Sequence, residues 1–235
     1  MTSDKQGQTQ VQTESLPHAA RSTEHSALVI RKLGLSDYEK TWRAMQRFSA
    51  VRATDTPDEL WLVEHPPVYT VGLNGKEEHL LRTDNGIPLV KTDRGGQITY
   101  HGPGQIIVYT LLDLRRRGLG VRALVRKLEN AVIELLMSYG VEARGRVDAP
   151  GVYVGGAKVA ALGLRIRNGC CFHGLSLNVD VDLGPFHAID PCGYPGLQVT
   201  RLRDLGIDER ADLVADKLLA NLADELSSPS RWTKS

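Results

Sequence analysis

The stretch that most constrains the fold is residues 151–179, GVYVGGAKVAALGLRIRNGCCFHGLSLNV. Three apolar, β-favouring runs, at 151–154, 158–167 and 171–179, are separated by glycine-containing turns, and that pattern specifies antiparallel hairpins. Asn168-Gly169 supplies a two-residue hairpin signal, because both residues tolerate the positive φ such a turn demands. Upstream, strands are expected at 27–33, 59–63, 68–71, 87–91 and 106–114. A helix capped by Ser36 or Asp37 carries Tyr38, Trp42, Met45 and Phe48 on one face, spacing that core packing explains. A second helix runs from Val121 to Tyr139, with Gly140 as its stop. A third covers 208–226 and turns Leu213, Leu218 and Leu222 inward. Lys76 to Arg82 reads as a short helix or a lid, and 182–202 as an irregular segment rich in Gly and Pro. Hairpins outnumber β-α-β units, so the fold class is α+β, a mixed, mainly antiparallel sheet packed with helices.

With 235 residues, 41% of them hydrophobic, the chain holds ample material for a core. A single domain is expected over 27–226, between a polar, disordered tail at 1–26 and a frayed end at 227–235. A net charge of +1 gives no general argument for nucleic acid or a membrane surface, and no run is apolar and long enough to span a bilayer. The three cysteines, Cys170, Cys171 and Cys192, form neither a disulfide framework nor a paired zinc motif. A reducing, cytoplasmic setting without a metal or other cofactor is the expectation.

Chemistry concentrates in two places. Residues 94–105, RGGQITYHGPGQ, precede an apolar strand, and glycines let backbone approach a ligand closely. The stretch reads equally as a binding loop and as a turn between strands. Cys192 sits between Pro191 and Gly193, where a sulfur is exposed on a fixed backbone. A thiol near its ordinary pKa of about 8.5 needs a neighbouring base or cation to act as a nucleophile. Lys158, opening an apolar strand, is one partner: burial favours a neutral amine that takes the thiol proton. The alternative is a lysine snorkelling at a strand edge. His101 and His173 are the other bases within the pattern. Arg115, Arg116, Arg117, Arg122, Arg126 and Lys127 make either a solvated face or a docking patch for an acidic protein.

Taken together, Arg94, Gly95, Gly96, Thr99, Tyr100, His101, Gly104 and Gln105 match the pattern R-G-G-x-x-T-aromatic-H-x-x-G-Q. With EHPPVYTVG, GGAKVAALGLRI, FHGLSLNV and PCGYPGLQVTRL, they make the chain resemble the octanoyltransferases of lipoate synthesis over residues 27–226. The resemblance implies the fold of a biotin or lipoate ligase catalytic domain. It implies transfer of an octanoyl group from acyl carrier protein to a lysine of a lipoyl domain, in the E2 subunits of 2-oxoacid dehydrogenases and in the glycine cleavage H protein. It also implies Cys192 as the acyl-thioester nucleophile and Lys158 as its partner. The substrate-binding segments it implies are Arg94, Gly95, Gly96, Gln97, Ile98, Thr99, Tyr100 and His101; Ala161, Leu162 and Gly163; and Gly174, Leu175 and Ser176. Oxyanion donors are expected near Gly193 or Gly163. An ATP-dependent lipoate or biotin ligase is the rival reading, and a non-catalytic binder of the same partners the third.

Overall fold

The structure, a computed structural model, describes residues 28–82 and 86–228. The tail expected at 1–26 lies outside the described residues, as does the frayed end expected at 227–235 apart from Ser227, which closes the last helix, and Ser228. In chain order the elements are β1 Leu28–Leu35, α1 Tyr38–Val51, β2 Asp58–Glu64, β3 Val68–Val71, β4 Leu89–Lys91, β5 Ile98–His101 and β6 Gln105–Asp113. They continue with α2 Val121–Ser138, β7 Arg144–Gly145, β8 Gly151–Val154, β9 Ala157–Arg167, β10 Cys170–Asn178 and α3 Ala211–Ser227. Short 3-10 turns occupy Glu77–His79, Gly184–Ala188, Pro191–Gly193 and Leu202–Leu205.

Seven strands form the main sheet in the order β1-β2-β6-β10-β9-β8-β7, and β4-β3-β5 form a smaller one. Every pairing is antiparallel except β1 with β2 and β3 with β4. The β9–β10 hairpin closes at Asn168 (φ 52°) and Gly169 (φ 81°), the two left-handed residues its sequence called for. Side chains of β6 alternate across the sheet. Ile106, Val108 and Leu112 join an apolar core under α2 and α3. Ile107, Tyr109 and Leu111 face α1, beside Tyr38, Trp42 and Met45. Asp37 caps α1 by accepting the Lys40 N–H at 2.9 Å.

Four expectations change. Residues 94–105 are not one loop, since Ile98–His101 forms β5 and pairs with β3. Between Lys76 and Arg82 there is a single turn, Glu77–His79, rather than a helix. Leu213 is 45% exposed, because the buried stripe of α3 runs through Val214, Leu218 and Leu222, and Leu213 lies off it. The basic run splits. Arg116 and Arg117 bind the buried Asp58 carboxylate together with Arg52, and Lys127 is buried against the carbonyls of Glu225 and Ser228. Arg115, Arg122 and Arg126 stay exposed, so a docking patch made of all six residues does not exist.

Candidate active site

A narrow cleft, with a free volume of about 50 Å³, opens between the α1-facing side of the main sheet and the roof formed by β5 and the Arg94–Gln97 backbone. Of the fourteen residues expected to bind substrate, all but Gly95 and Tyr100 line it. Tyr100 points the other way, packed against Tyr69 and Phe186, as period-two alternation along β5 requires. Gly95 lines a neighbouring outer groove instead. The floor is built from cross-strand pairs of β9 and β10, Ala161 with Ser176 and Gly163 with Gly174. These small residues let the roof settle on the strands: a Cβ on Gly163 would stand 3.1 Å from the Gly95 carbonyl oxygen.

Lys158 does not line this cleft itself but the outer groove, with Gly95, and a small recess beside the Ala161–Ser176 pair. It is only 3% exposed, its Nζ lies 3.4 Å from the Pro150 carbonyl oxygen, and it sits over the Tyr153 ring. Thr99, Ala161 and Ser176 belong both to the cleft and to a small recess that Lys158 lines together with Pro191. The chain beyond the Pro191–Gly193 turn is bonded to Lys158 on both sides. The Lys158 N–H donates to the Gln198 carbonyl at 2.8 Å, and the Thr200 N–H donates to the Lys158 carbonyl at 2.9 Å. Pro191, the first residue of that turn, lines the same small recess as Lys158; the Cys192 side chain lies outside the described part of the structure. The Gly193 N–H donates to the Asp190 carbonyl at 2.9 Å, so it is not available to an oxyanion. Of the two expected places for oxyanion donors, this bears on Gly193 and not on the Gly163 region.

The cleft itself is ringed by polar aromatics. The Arg94 guanidinium is occupied by Thr70 and by the carbonyls of Gly95 and Gln97, so it shapes the roof rather than reaching for a charge. His101 hydrogen-bonds to Gln105 Oε1 at 2.7 Å. Gln105 Nε2 donates to Asn178 Oδ1 at 2.8 Å, and Asn178 Nδ2 to the Thr200 carbonyl at 3.0 Å. Burial, followed by the neighbouring His65, pushes the His101 pKa down to about 3. A base that weak is ill suited to take a thiol proton. His173 adopts φ 64°, and its Nε2 lies 2.9 Å from Asp93. Burial lowers its pKa as well, against the pull of Asp93. Burial would raise the Asp93 carboxyl, but hydrogen bonds from His173, Gln46 and Trp42 outweigh it and hold the pKa at about 2. His65 bonds to the Ser36 carbonyl and to the Tyr109 hydroxyl at 2.6 and 2.7 Å.

Sequence reasoning missed Tyr38, Ile107 and Tyr109 as cleft residues. Helical spacing had assigned Tyr38 to the core, where it also belongs, and nothing local marks Tyr109 inside an apolar strand. His173, an alternative base for which a hydrogen-bonded core histidine was the ordinary reading, is buried, lines the cleft and bonds to Asp93.

The family of lipoyl protein ligase A/B catalytic domains matches residues 37–223. The octanoyltransferase of Laribacter hongkongensis is 62% identical over 205 residues, covering 87% of this chain and 99% of its own. That of Nitrosomonas eutropha is 54% identical, covering 92% and 96%. Among solved structures, a putative lipoate protein ligase from T. acidophilum with bound lipoic acid superimposes with a TM-score of 0.70 at 18% identity, over 84% of this chain and 85% of that one. Lipoate-protein ligase A bound with ATP gives 0.69 at 18% identity, over 86% and 85%. At such identity the solved structures speak for the fold, while the sequence relatives speak for the family. The chain belongs to the lipoyl protein ligase A/B catalytic-domain family and, within it, to the octanoyltransferases, which are acyltransferases.

Proposed function

We propose that the chain takes an octanoyl group from octanoyl-acyl carrier protein and passes it to a lysine of lipoyl domains, through a thioester on Cys192 with Lys158 as the proton carrier. The acceptors on this reading are the E2 subunits of 2-oxoacid dehydrogenases and the glycine cleavage H protein, met in the cytoplasm. Among the described residues no helix is long and apolar enough to cross a membrane. The observation that supports the proposal is the buried Lys158, which lines one recess with Pro191 and shares Thr99, Ala161 and Ser176 of that recess with the cleft floored by small residues.

The steps balance without an added cofactor. Lys158 takes the thiol proton, and the thiolate attacks the thioester carbonyl. The carrier's sulfur leaves and receives that proton. One thioester is exchanged for another, so little energy is lost. The acceptor amine, normally protonated near pKa 10.4, must give up protons as it attacks the acyl-cysteine. The amide forms, and Cys192 leaves as thiolate and is reprotonated through Lys158. His101 and His173, held neutral, add no charge to the cleft that houses the apolar chain.

The test is intact-protein mass spectrometry after incubation with octanoyl-acyl carrier protein, without ATP. The wild type should carry one octanoyl adduct that a lipoyl domain discharges, and Cys192→Ala none. An adduct of equal yield on Cys192→Ala would exclude this cysteine, and acylation that requires ATP would return the ligase reading.

A further inference from the structure

The end of the cleft remote from Lys158 is closed by rings. Tyr38, from the first turn of α1, stacks on His101 at 5.8 Å and stands edge-on to His65 at 5.1 Å. Tyr109 lies 5.9 Å from His65 and 6.1 Å from His173. Four of these five side chains are tied by hydrogen bonds: His65 and Tyr109 to each other, His101 to Gln105, and His173 to Asp93. Tyr38 is the exception. It is 4% exposed, and its hydroxyl, beside the Thr70 and Thr92 side chains, meets no partner in good hydrogen-bond geometry. A buried hydroxyl without a partner stabilises nothing, so what Tyr38 contributes to this wall is its volume.

The run of the cleft gives that volume a consequence. From the Ala161–Ser176 pair, next to the Lys158 recess, the floor passes to the Gly163–Gly174 pair two residues further on, about 6.8 Å along the strands. One strand over, beside Gly174, stands Tyr109 on β6, and Tyr38 lines the same side of the cleft. An extended eight-carbon chain spans about 9 Å, at roughly 1.3 Å advance per bond. A chain whose carbonyl lies at the Lys158 end thus brings its methyl end to the ring wall. His65, His101, Tyr109 and His173 are locked there by their partners. Removing Tyr38 breaks no hydrogen bond and leaves that network standing.

We propose that Tyr38 is the stop of the acyl cleft, the side chain whose bulk sets the length of chain the enzyme accepts. The inference rests on the reading of the cleft as the octanoyl site. Each methylene that gains a buried place is worth about fourfold in affinity, so lengthening the cleft should be easy to read.

The experiment measures kcat/KM for hexanoyl-, octanoyl- and dodecanoyl-acyl carrier protein with wild type, Tyr38→Ala, Tyr38→Phe and Tyr38→Trp. Taking the ratio of two chain lengths within one preparation cancels any loss of folded protein. Tyr38→Ala should raise the dodecanoyl-to-octanoyl ratio at least tenfold. Tyr38→Phe, which keeps the ring and drops the unpaired hydroxyl, should leave the ratio within twofold of wild type. Tyr38→Trp should move preference towards hexanoyl. If Tyr38→Ala fails to fold, Tyr38→Leu carries the same criterion. An unchanged ratio in a variant that still transfers octanoate would overturn the proposal, as would a tenfold shift in Tyr38→Phe. Absence of octanoyl transfer by the wild type would instead overturn the reading on which it rests.

Discussion

The two faces of the main sheet are built from different materials. The face under α2 and α3 is packed with Leu60, Val108, Leu112, Leu128, Leu135, Leu218, Leu222 and their neighbours, a continuous aliphatic core. The opposite face, under α1 and the small sheet, buries Arg94, His65, His101, His173 and Tyr109 among its apolar side chains. Nearly every one of those polar groups is satisfied by a specific partner, at a cost in desolvation that the aliphatic face does not bear. Strands β6 and β10 serve both faces at once, which period-two alternation allows: the residues that stabilise and the residues that shape the cleft alternate along the same backbone. His173 departs from that alternation. Its neighbours Cys171 and Leu175 belong to the helix-side core, while its left-handed φ brings its ring against Tyr109 and Asp93 on the cleft side. The difference assigns stability to one face and chemistry to the other, and that division can be attacked from either side.

The largest effect should come from Lys158→Met, which keeps the aliphatic stem and removes the amine. A proton carrier of this kind is worth about 10²–10⁴ in rate, so kcat/KM for octanoyl transfer should fall by at least a hundredfold. The melting temperature should stay within a few degrees of wild type. A variant that keeps most of its activity would show that the amine takes no part. Leu128→Ala attacks the other face. Leu128 is fully buried in the aliphatic core, and its truncation should cost about 3–5 kcal/mol, lowering the melting temperature by roughly 10 °C in a chain of this size. Activity per folded molecule should not change. Loss of kcat at a temperature where circular dichroism still reports full folding would erase the division between the faces.

How much of this was legible in the sequence follows from the range of each signal. The β9–β10 hairpin was readable to within a residue because its determinants are local: an Asn-Gly turn and two apolar runs. Cys192 and Lys158 were singled out by residue chemistry and joined by the family pattern, while the backbone bonds that tie Lys158 to Gln198 and Thr200 span some forty residues and leave no local signal. The roof was half read. Its glycines signalled close approach, but the pairing of Ile98–His101 with β3 depends on a partner strand thirty residues earlier. Tyr38 and Tyr109 were hidden for another reason. A ring on the buried face of a helix or strand has the same pattern whether it faces a core or a cleft. The basic run was misjudged because charge counts carry no information on pairing, and three of its members are spent inside the protein.

The polar face should also be the acid-sensitive one. His65, His101 and His173 all have pKa values lowered by burial. A histidine held neutral in the fold lets the unfolded chain take the proton first, so stability is full above about pH 6.5 and declines below it. For His101, with its pKa at about 3, two pH units of decline are worth about 2–3 kcal/mol at pH 4.5. Asp93 contributes in a lower window: its stabilisation is complete above about pH 4 and is lost between there and pH 2. Urea unfolding at pH 7 and pH 4.5 should show the difference, and His101→Asn should shrink it. Equal unfolding free energies at the two pH values in the wild type would contradict the buried, neutral state of these rings.

The smallest effect tests how the two faces are held in register. α1 reaches the cleft through Tyr38, its first residue, and Asp37 caps that turn. Asp37→Ala removes the acceptor for the Lys40 N–H and should cost about 1 kcal/mol, a loss of a few degrees in melting temperature. If Tyr38 is the stop of the cleft, loosening the turn that carries it should also blur chain-length preference, narrowing the gap between octanoyl and decanoyl transfer by about twofold. The Leu128→Ala variant, less stable by a larger margin, should leave that gap untouched. Selectivity would then follow the local order of α1 and not the global stability of the domain. A gap that narrows equally in both variants would mean that the cleft loosens with the whole domain and that the two faces do not have separate roles.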